Sequence, residues 1–258
     1  LKPAAPNGKV LPLTHFTDGY VADCEVTFDG RRVVFARRGG DGDPWWHIFE
    51  IKVDGSGLRQ LTSGPYHDVQ PACLPDGRIV FSSSRTGLRD EYHGYLATGL
   101  TVMEPDGSDV HCIGFNLGRD NEPSVMPDGR ILFSRLELFY SRLKTEITLQ
   151  ALAPDGTRNV TLYGPERRKF WRQTTARSRE RWWGEAPPRH RVLRLTQPHS
   201  LDRNRILCAT TGGITLVGPG RYAEKVLSRH NNMAVTSPFP ISENRVLCAA
   251  AVRVFDRS

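Results

Sequence analysis

The chain writes one phrase twice, nearly letter for letter: Pro75-Asp76-Gly77-Arg78-Ile79-Val80-Phe81-Ser82 and Pro127-Asp128-Gly129-Arg130-Ile131-Leu132-Phe133-Ser134. Asp-Gly ahead of an alternating apolar run reads as a turn followed by a strand, because glycine takes positive φ without a Cβ clash and aspartate hydrogen-bonds back onto its own backbone. An earlier variant, Phe28-Asp29-Gly30-Arg31-Arg32-Val33-Val34-Phe35, has the same form. Two later strands, Ile206-Leu207-Cys208-Ala209 and Val246-Leu247-Cys248-Ala249, put cysteine where the others carry phenylalanine. Copies of one local structure bury little alone and must stack on each other, so the repeat restricts the fold to a repeated-sheet architecture.

Measured at the matching Phe or Cys (35, 81, 133, 208, 248), the intervals are 46, 52, 75 and 40 residues. Apart from the third, these suit blades of four short antiparallel strands. The repeats run over about 24–62, 70–113, 122–162, 197–226 and 237–258, and the last stops before a third strand is clear. Asp54-Gly55, Asp106-Gly107 and Asp155-Gly156 mark the turn from third to fourth strand, while the fourth repeat replaces its first Asp-Gly by Arg203-Asn204. The expected fold is all-β, a β-propeller of four-stranded antiparallel blades with five repeats visible. Gly8-Lys9-Val10-Leu11-Pro12-Leu13-Thr14 resembles Gly57-Leu58-Arg59-Gln60-Leu61-Thr62. That likeness predicts an N-terminal outer strand that closes the ring without a free edge.

At 258 residues the chain can bury a large core, and no apolar run approaches the roughly 20 residues of a membrane-spanning helix. It opens Leu1-Lys2-Pro3 without the apolar core of a signal peptide, so it reads as a mature chain or a piece of a longer one. The five cysteines form no Cys-x-x-Cys pair, haem-attachment site or zinc-finger spacing, and Cys208 and Cys248 read as small buried hydrophobes. The insertion, 163–196, is the compositional outlier. From Tyr163 to Pro198 ten Lys/Arg face three acids, which accounts for the whole net charge of +7 and leaves the rest of the chain neutral.

The repeats resemble the TolB-type, WD40-like propeller repeats, in which a Pro-Asp-Gly hairpin precedes an Ile-x-Phe strand. They are also similar to the propeller module known as the hydrazine synthase alpha subunit middle domain. The residues carrying that resemblance are Leu74 to Ser84, Val102-Met103-Glu104-Pro105-Asp106-Gly107-Ser108, Asn121 to Arg130, Leu195-Thr196-Gln197-Pro198 and Thr210-Thr211-Gly212-Gly213. The resemblance implies an exported module, periplasmic or secreted, of a larger bacterial protein, with other domains or subunits as partners. It also implies that haem c belongs to neighbouring domains, since its attachment motif is absent here. No catalytic residue carries over and no cofactor is expected in this chain.

In such blades the Asp-Gly turns fall on one face and the long, varied loops on the other, and binding favours loops on a rigid scaffold. A metal or acid/base site of a propeller lyase or hydrolase could use His67, Asp68, Glu122 and His199, since imidazoles and carboxylates must converge for such chemistry. The competing reading has Asp or Glu at the start of an inner strand bonding backbone amides of the neighbouring blade. Asp90 and His93, in a loop between second and third strands, are candidate partner contacts. So are Arg167, Arg168, Trp171, Arg172, Trp182 and Trp183 of the insertion, because Arg and Trp dominate protein interfaces. Two readings of that segment stand: a flap folded on its own propeller, or a docking surface for another domain or an acidic partner. Arginine interleaved with tryptophan also suits nucleic acid, but the neutral remainder and the implied export speak against it. No nucleophile elbow, phosphate loop or Ser-His-Asp order occurs, so a non-catalytic scaffold or binding module is expected.

Overall fold

The Asp-Gly turns do what their chemistry requires. In the hairpins at Asp29, Asp54, Asp76, Asp106, Asp128 and Asp155, the aspartate Oδ1 accepts the backbone N–H two residues on, at 2.8–3.2 Å. The glycine that follows is left-handed in each, with φ of 84° at Gly129 and 90° at Gly107. Strands leave these turns with apolar residues at alternate positions, and the sheets follow.

A computed structural model describes residues 12–40, 42–90, 94–136, 147–163, 196–202, 205–210, 213–218, 224–229, 233–242 and 245–252. The chain divides into two compact units, one of residues 1–88 and 98–115, the other of 89–97 and 116–258. The first holds two blades. β1 (Tyr20–Val26), β2 (Arg32–Arg38), β3 (His47–Lys52) and β4 (Arg59–Gln60) form one four-stranded sheet in that order. β5 (Asp68–Cys73), β6 (Ile79–Ser83), β7 (Gly99–Met103) and β8 (His111–Cys112) form the next. Every neighbouring pair is antiparallel.

The two blades of this unit share a core of Val34, Ala36 and Ile48 from the first sheet and Cys73, Ile79, Phe81 and Met103 from the second. The alternate residues Val33, Phe35 and Ile51 point to the opposite face of the first sheet, where Leu13 and Phe16 cover them. Period-two alternation thus gives one sheet two apolar faces, and both need a neighbour.

The second unit repeats the plan. β9 (Arg119–Val125), β10 (Ile131–Leu136), β11 (Ile147–Leu152) and β12 (Val160–Tyr163) make the third blade. β13 (Thr196–Ser200), β14 (Ile206–Thr210), β15 (Gly213–Val217) and β16 (Glu224–Arg229) make the fourth. Met126, Leu132, Leu149, Ala151 and Tyr163 pack against Ile206, Cys208 and Val217. Cys208 is fully buried, as a small hydrophobe in the phenylalanine position. Tyr163, at the start of the charged insertion, is the last residue of β12 and is itself buried in this core.

The five repeats expected from the sequence, the last of them incomplete, give four blades and not five. Four four-stranded blades form, and the fifth repeat yields a two-stranded sheet of β17 (Met233–Ser242) and β18 (Arg245–Val252). Among the described residues these two long strands pair only with each other, so the fifth repeat supplies half a blade. The N-terminal strand expected from Gly8–Thr14 lies largely outside the described residues, and residues 12–19 hold no strand. Among the described residues no helix is long and apolar enough to cross a membrane.

A Cβ on Gly107 would sit 2.7 Å from the Leu61 carbonyl oxygen, whereas one on Gly129 meets nothing within 4 Å. Gly129→Ala should cost about 1–2 kcal/mol of left-handed strain alone, and Gly107→Ala clearly more, as read from urea midpoints. In the turns at Asp54, Asp106 and Asp155 the carboxyl is held below the usual carboxylate range. The hydroxyl of Ser56, Ser108 or Thr157 is the first cause and its backbone N–H the second. A carboxyl whose folded pKa is depressed adds stability above its unfolded pKa and loses it as pH falls through the folded one. Urea midpoints should therefore drop below about pH 4, and Asp106→Asn, which cannot titrate, should flatten that acid limb.

Candidate functional site

The inner strand of each blade is interrupted at the same place. Asp23, Gln70, Glu122 and Gln197 adopt φ of 55°, 55°, 57° and 50°, and the pairing register slips at each. These are β-bulges on L residues, a conformation that costs on the order of 1 kcal/mol or more and needs compensation. Proline follows three of them, at Pro71, Pro123 and Pro198, where a missing N–H costs no ladder bond.

Compensation comes from the adjacent blade of the same unit. The N–H of Gln70 donates to Asp23 Oδ2 at 3.2 Å, and the N–H of Gln197 donates to Glu122 Oε2 at 2.7 Å. Glu122 Oε2 also accepts from Ser134 Oγ at 3.0 Å, and Ser124 Oγ donates to the Pro198 carbonyl at 2.6 Å. Burial pushes the Asp23 carboxyl up, against the pull of the Gln70 amide. Nearby, burial raises Glu25 to about 7 and the Cys73 thiol to about 12.

A second repeated device stands at the loop ends of the strands. Arg85 reaches Asp68 through Nη2 at 2.7 Å and Nε at 3.2 Å, and Ser83 Oγ adds a bond of 2.6 Å. Arg135 clasps Asp120 with two bonds of 2.7 Å. Arg37 donates to Asp18 at 2.9 Å, and Arg119 to Asp90 at 3.3 Å. The side chains of Asp68, Asp90 and Asp120 are fully buried. Two-pronged pairing of guanidinium with carboxylate is among the stronger polar contacts a protein makes.

These contacts decide the standing of the candidate residues. Glu122 takes the neighbouring blade's amide, as one of the two sequence readings expected, and Asp68 takes Arg85 rather than an amide. His67 donates its backbone N–H to Ser84 Oγ, and its ring lies 4.7 Å from that of Trp45. His199 sits in β13 opposite Leu207. Burial lowers the pKa of both imidazoles. His67 and Asp68 belong to the first unit, Glu122 and His199 to the second. Among the described residues no three of His, Cys, Asp and Glu gather as a metal-ligand set. Asp90 is turned inward to Arg119, with its backbone bonded to Tyr95 and Gly94. His93, Arg167, Arg168, Trp171, Arg172, Trp182 and Trp183 lie outside the described residues.

The arginine clamps were not anticipated. Their trace in the sequence is an arginine shortly after the hairpin strand, in Phe35-Ala36-Arg37, Ser83-Ser84-Arg85 and Phe133-Ser134-Arg135.

No family model matches the chain. The hydrazine synthase subunit alpha of Kuenenia stuttgartiensis is 25% identical over 169 residues, covering 45% of this chain and 20% of that relative. The solved hydrazine synthase of the same organism superposes with a TM-score of 0.72 at 20% identity, over 91% of this chain and 36% of that one. TolB from Acinetobacter baumannii gives 0.54 at 12% identity, over 91% and 52%. An oligogalacturonate lyase solved with manganese gives 0.52 at 11%, over 83% and 54%, a likeness of fold alone. The chain is therefore similar in sequence to part of hydrazine synthase subunit alpha and shares a β-propeller fold with that protein and with TolB, and it spans a fifth of the curated relative it matches.

The buried clamps should matter more than exposed pairs. Arg135→Met strands the Asp120 carboxylate in a dry site and should cost about 3 kcal/mol or more. Arg205→Met, which breaks an exposed pair with Asp202, should cost less than about 1 kcal/mol in the same urea titration.

Proposed function

We propose that this chain is a non-catalytic propeller scaffold and binding module of an exported, multidomain bacterial protein, akin to the propeller of hydrazine synthase subunit alpha. The observation that carries the reading is the use made of the carboxylates on the inner strands. Asp23 and Glu122 hold backbone amides, while Asp68 and Asp120 hold guanidinium groups. Groups so engaged fix the blades rather than wait for a substrate, which leaves the loops above them free to vary.

The relative's greater length supports a setting among further domains, and periplasmic or secreted placement is part of the same reading. In it the basic segment, with Arg167, Arg168, Trp171, Arg172, Trp182 and Trp183, is the docking surface. Hot-spot arginines and tryptophans each carry about 2 kcal/mol or more at an interface. The paired change Trp171→Ala and Arg172→Ala should therefore weaken calorimetric binding of this chain to the other domains of its protein by at least about tenfold. Unchanged affinity would remove the segment from the interface. Failure of the wild-type chain to bind would overturn the scaffold reading.

A further inference from the structure

Among the described residues five arginines lie over aromatic rings: Arg37 on Phe16 at 4.1 Å, Arg85 on Tyr66 at 4.6 Å, Arg119 on Tyr95 at 5.8 Å, Arg135 on Phe133 at 5.3 Å, and Arg38. The first four each also hold a carboxylate: Asp18, Asp68, Asp90 and Asp120. Arg38 is different. Its guanidinium has two rings, as that of Arg37 has, Tyr20 at 4.8 Å and Trp46 at 5.8 Å, but among the described residues it has no carboxylate.

The comparison is informative because the chemistry is the same in all five. A ring face attracts the cation but fills none of its five N–H donors, which lie in a rigid fork matched to a carboxylate. Arg38 is half-buried, so those donors are only partly served by water. Beside it, His67 has a buried Nδ1 that meets no hydrogen-bond partner. Burial and the nearby Arg38 charge both lower the pKa of His67. Tyr20, well exposed, forms an open wall on one side.

We infer that Arg38, with Tyr20 and Trp46 as its walls, is a binding site for the carboxylate of a ligand from outside the described chain. The ligand's carboxylate takes the place that Asp68 holds on Arg85, and the carbon body beside it lies on the tyrosine and tryptophan. An acidic peptide side chain and a small sugar acid offer that same group, and the two are separable by experiment. The site is independent of the docking role given above to the basic segment.

The test titrates the full chain with acetyl-Glu-Glu-amide in one arm and galacturonate in the other. Binding is read by calorimetry and by the indole N–H signal of Trp46, assigned through Trp46→Phe. Saturable binding of either ligand with a shift of that signal is expected, and the tighter arm identifies the source. Arg38→Met should weaken it at least tenfold. Arg38→Lys, which keeps the charge but loses the fork, should also weaken it, while Arg31→Met, on an exposed turn, should leave it unchanged. No saturable binding in either arm, or equal binding by Arg38→Met, would overturn the site. So would binding that emerges only in Asp41→Asn, because the chain's own Asp41 would then be the carboxylate on Arg38.

Discussion

The structure depends on how a blade holds the next one at its inner strand. A four-stranded sheet with alternating side chains has two apolar faces, and stacking covers them only if neighbouring sheets stay in register. In each unit one of the bonds that pin the register runs from the N–H of a bulged residue to a carboxylate on the preceding blade. The bulge turns that N–H out of its own ladder, and the carboxylate removes the penalty of leaving it unpaired. Strain and satisfaction are thus two halves of one device, repeated at Asp23–Gln70 and at Glu122–Gln197.

The hydrophobic seams and the polar clamps divide the work between them. Phe81 and Met103 in one unit, and Leu132, Leu149 and Cys208 in the other, lie fully buried in the seams between blades. The matching repeat position takes Phe81 in one seam and Cys208 in the other, each with a different set of apolar neighbours. In the clamps, Asp68 and Asp120 have no exposure to water, so losing Arg85 or Arg135 leaves a buried carboxylate without its cation. They fix where the loop ends of the strands stand, and hence what the loops can present.

Much of this fold was legible because local chemistry repeats. Asp128-Gly129 announces its turn, and Ile131-Leu132-Phe133 its strand, without help from distant residues. The same letters could not give the blade count. The fifth repeat carries a convincing strand at Val246–Ala249, yet among the described residues it pairs with a single neighbour, and pairing is a property of what lies alongside. The candidate site was less legible still. Asp68 and Glu122 both stand near the start of an inner strand and read alike in sequence. They differ because Arg85 reaches one and the amide of Gln197 reaches the other. Neither partner is near in sequence to its carboxylate. The arginine clamps escaped notice for the same reason, although the recurring arginine after the hairpin strand was in plain view.

The prolines beside the bulges have a further effect. β5, β9 and β13 each lie at the margin of their sheet, and a margin normally offers a row of donors and acceptors to any passing strand. Pro71, Pro123 and Pro198 remove a donor from that row, and the left-handed residue before each turns the backbone out of line. A foreign segment laid along this rim would find the hydrogen-bonding pattern broken midway. The kink that joins one sheet to the next within its unit is therefore also what keeps the sheets from recruiting strands from other molecules.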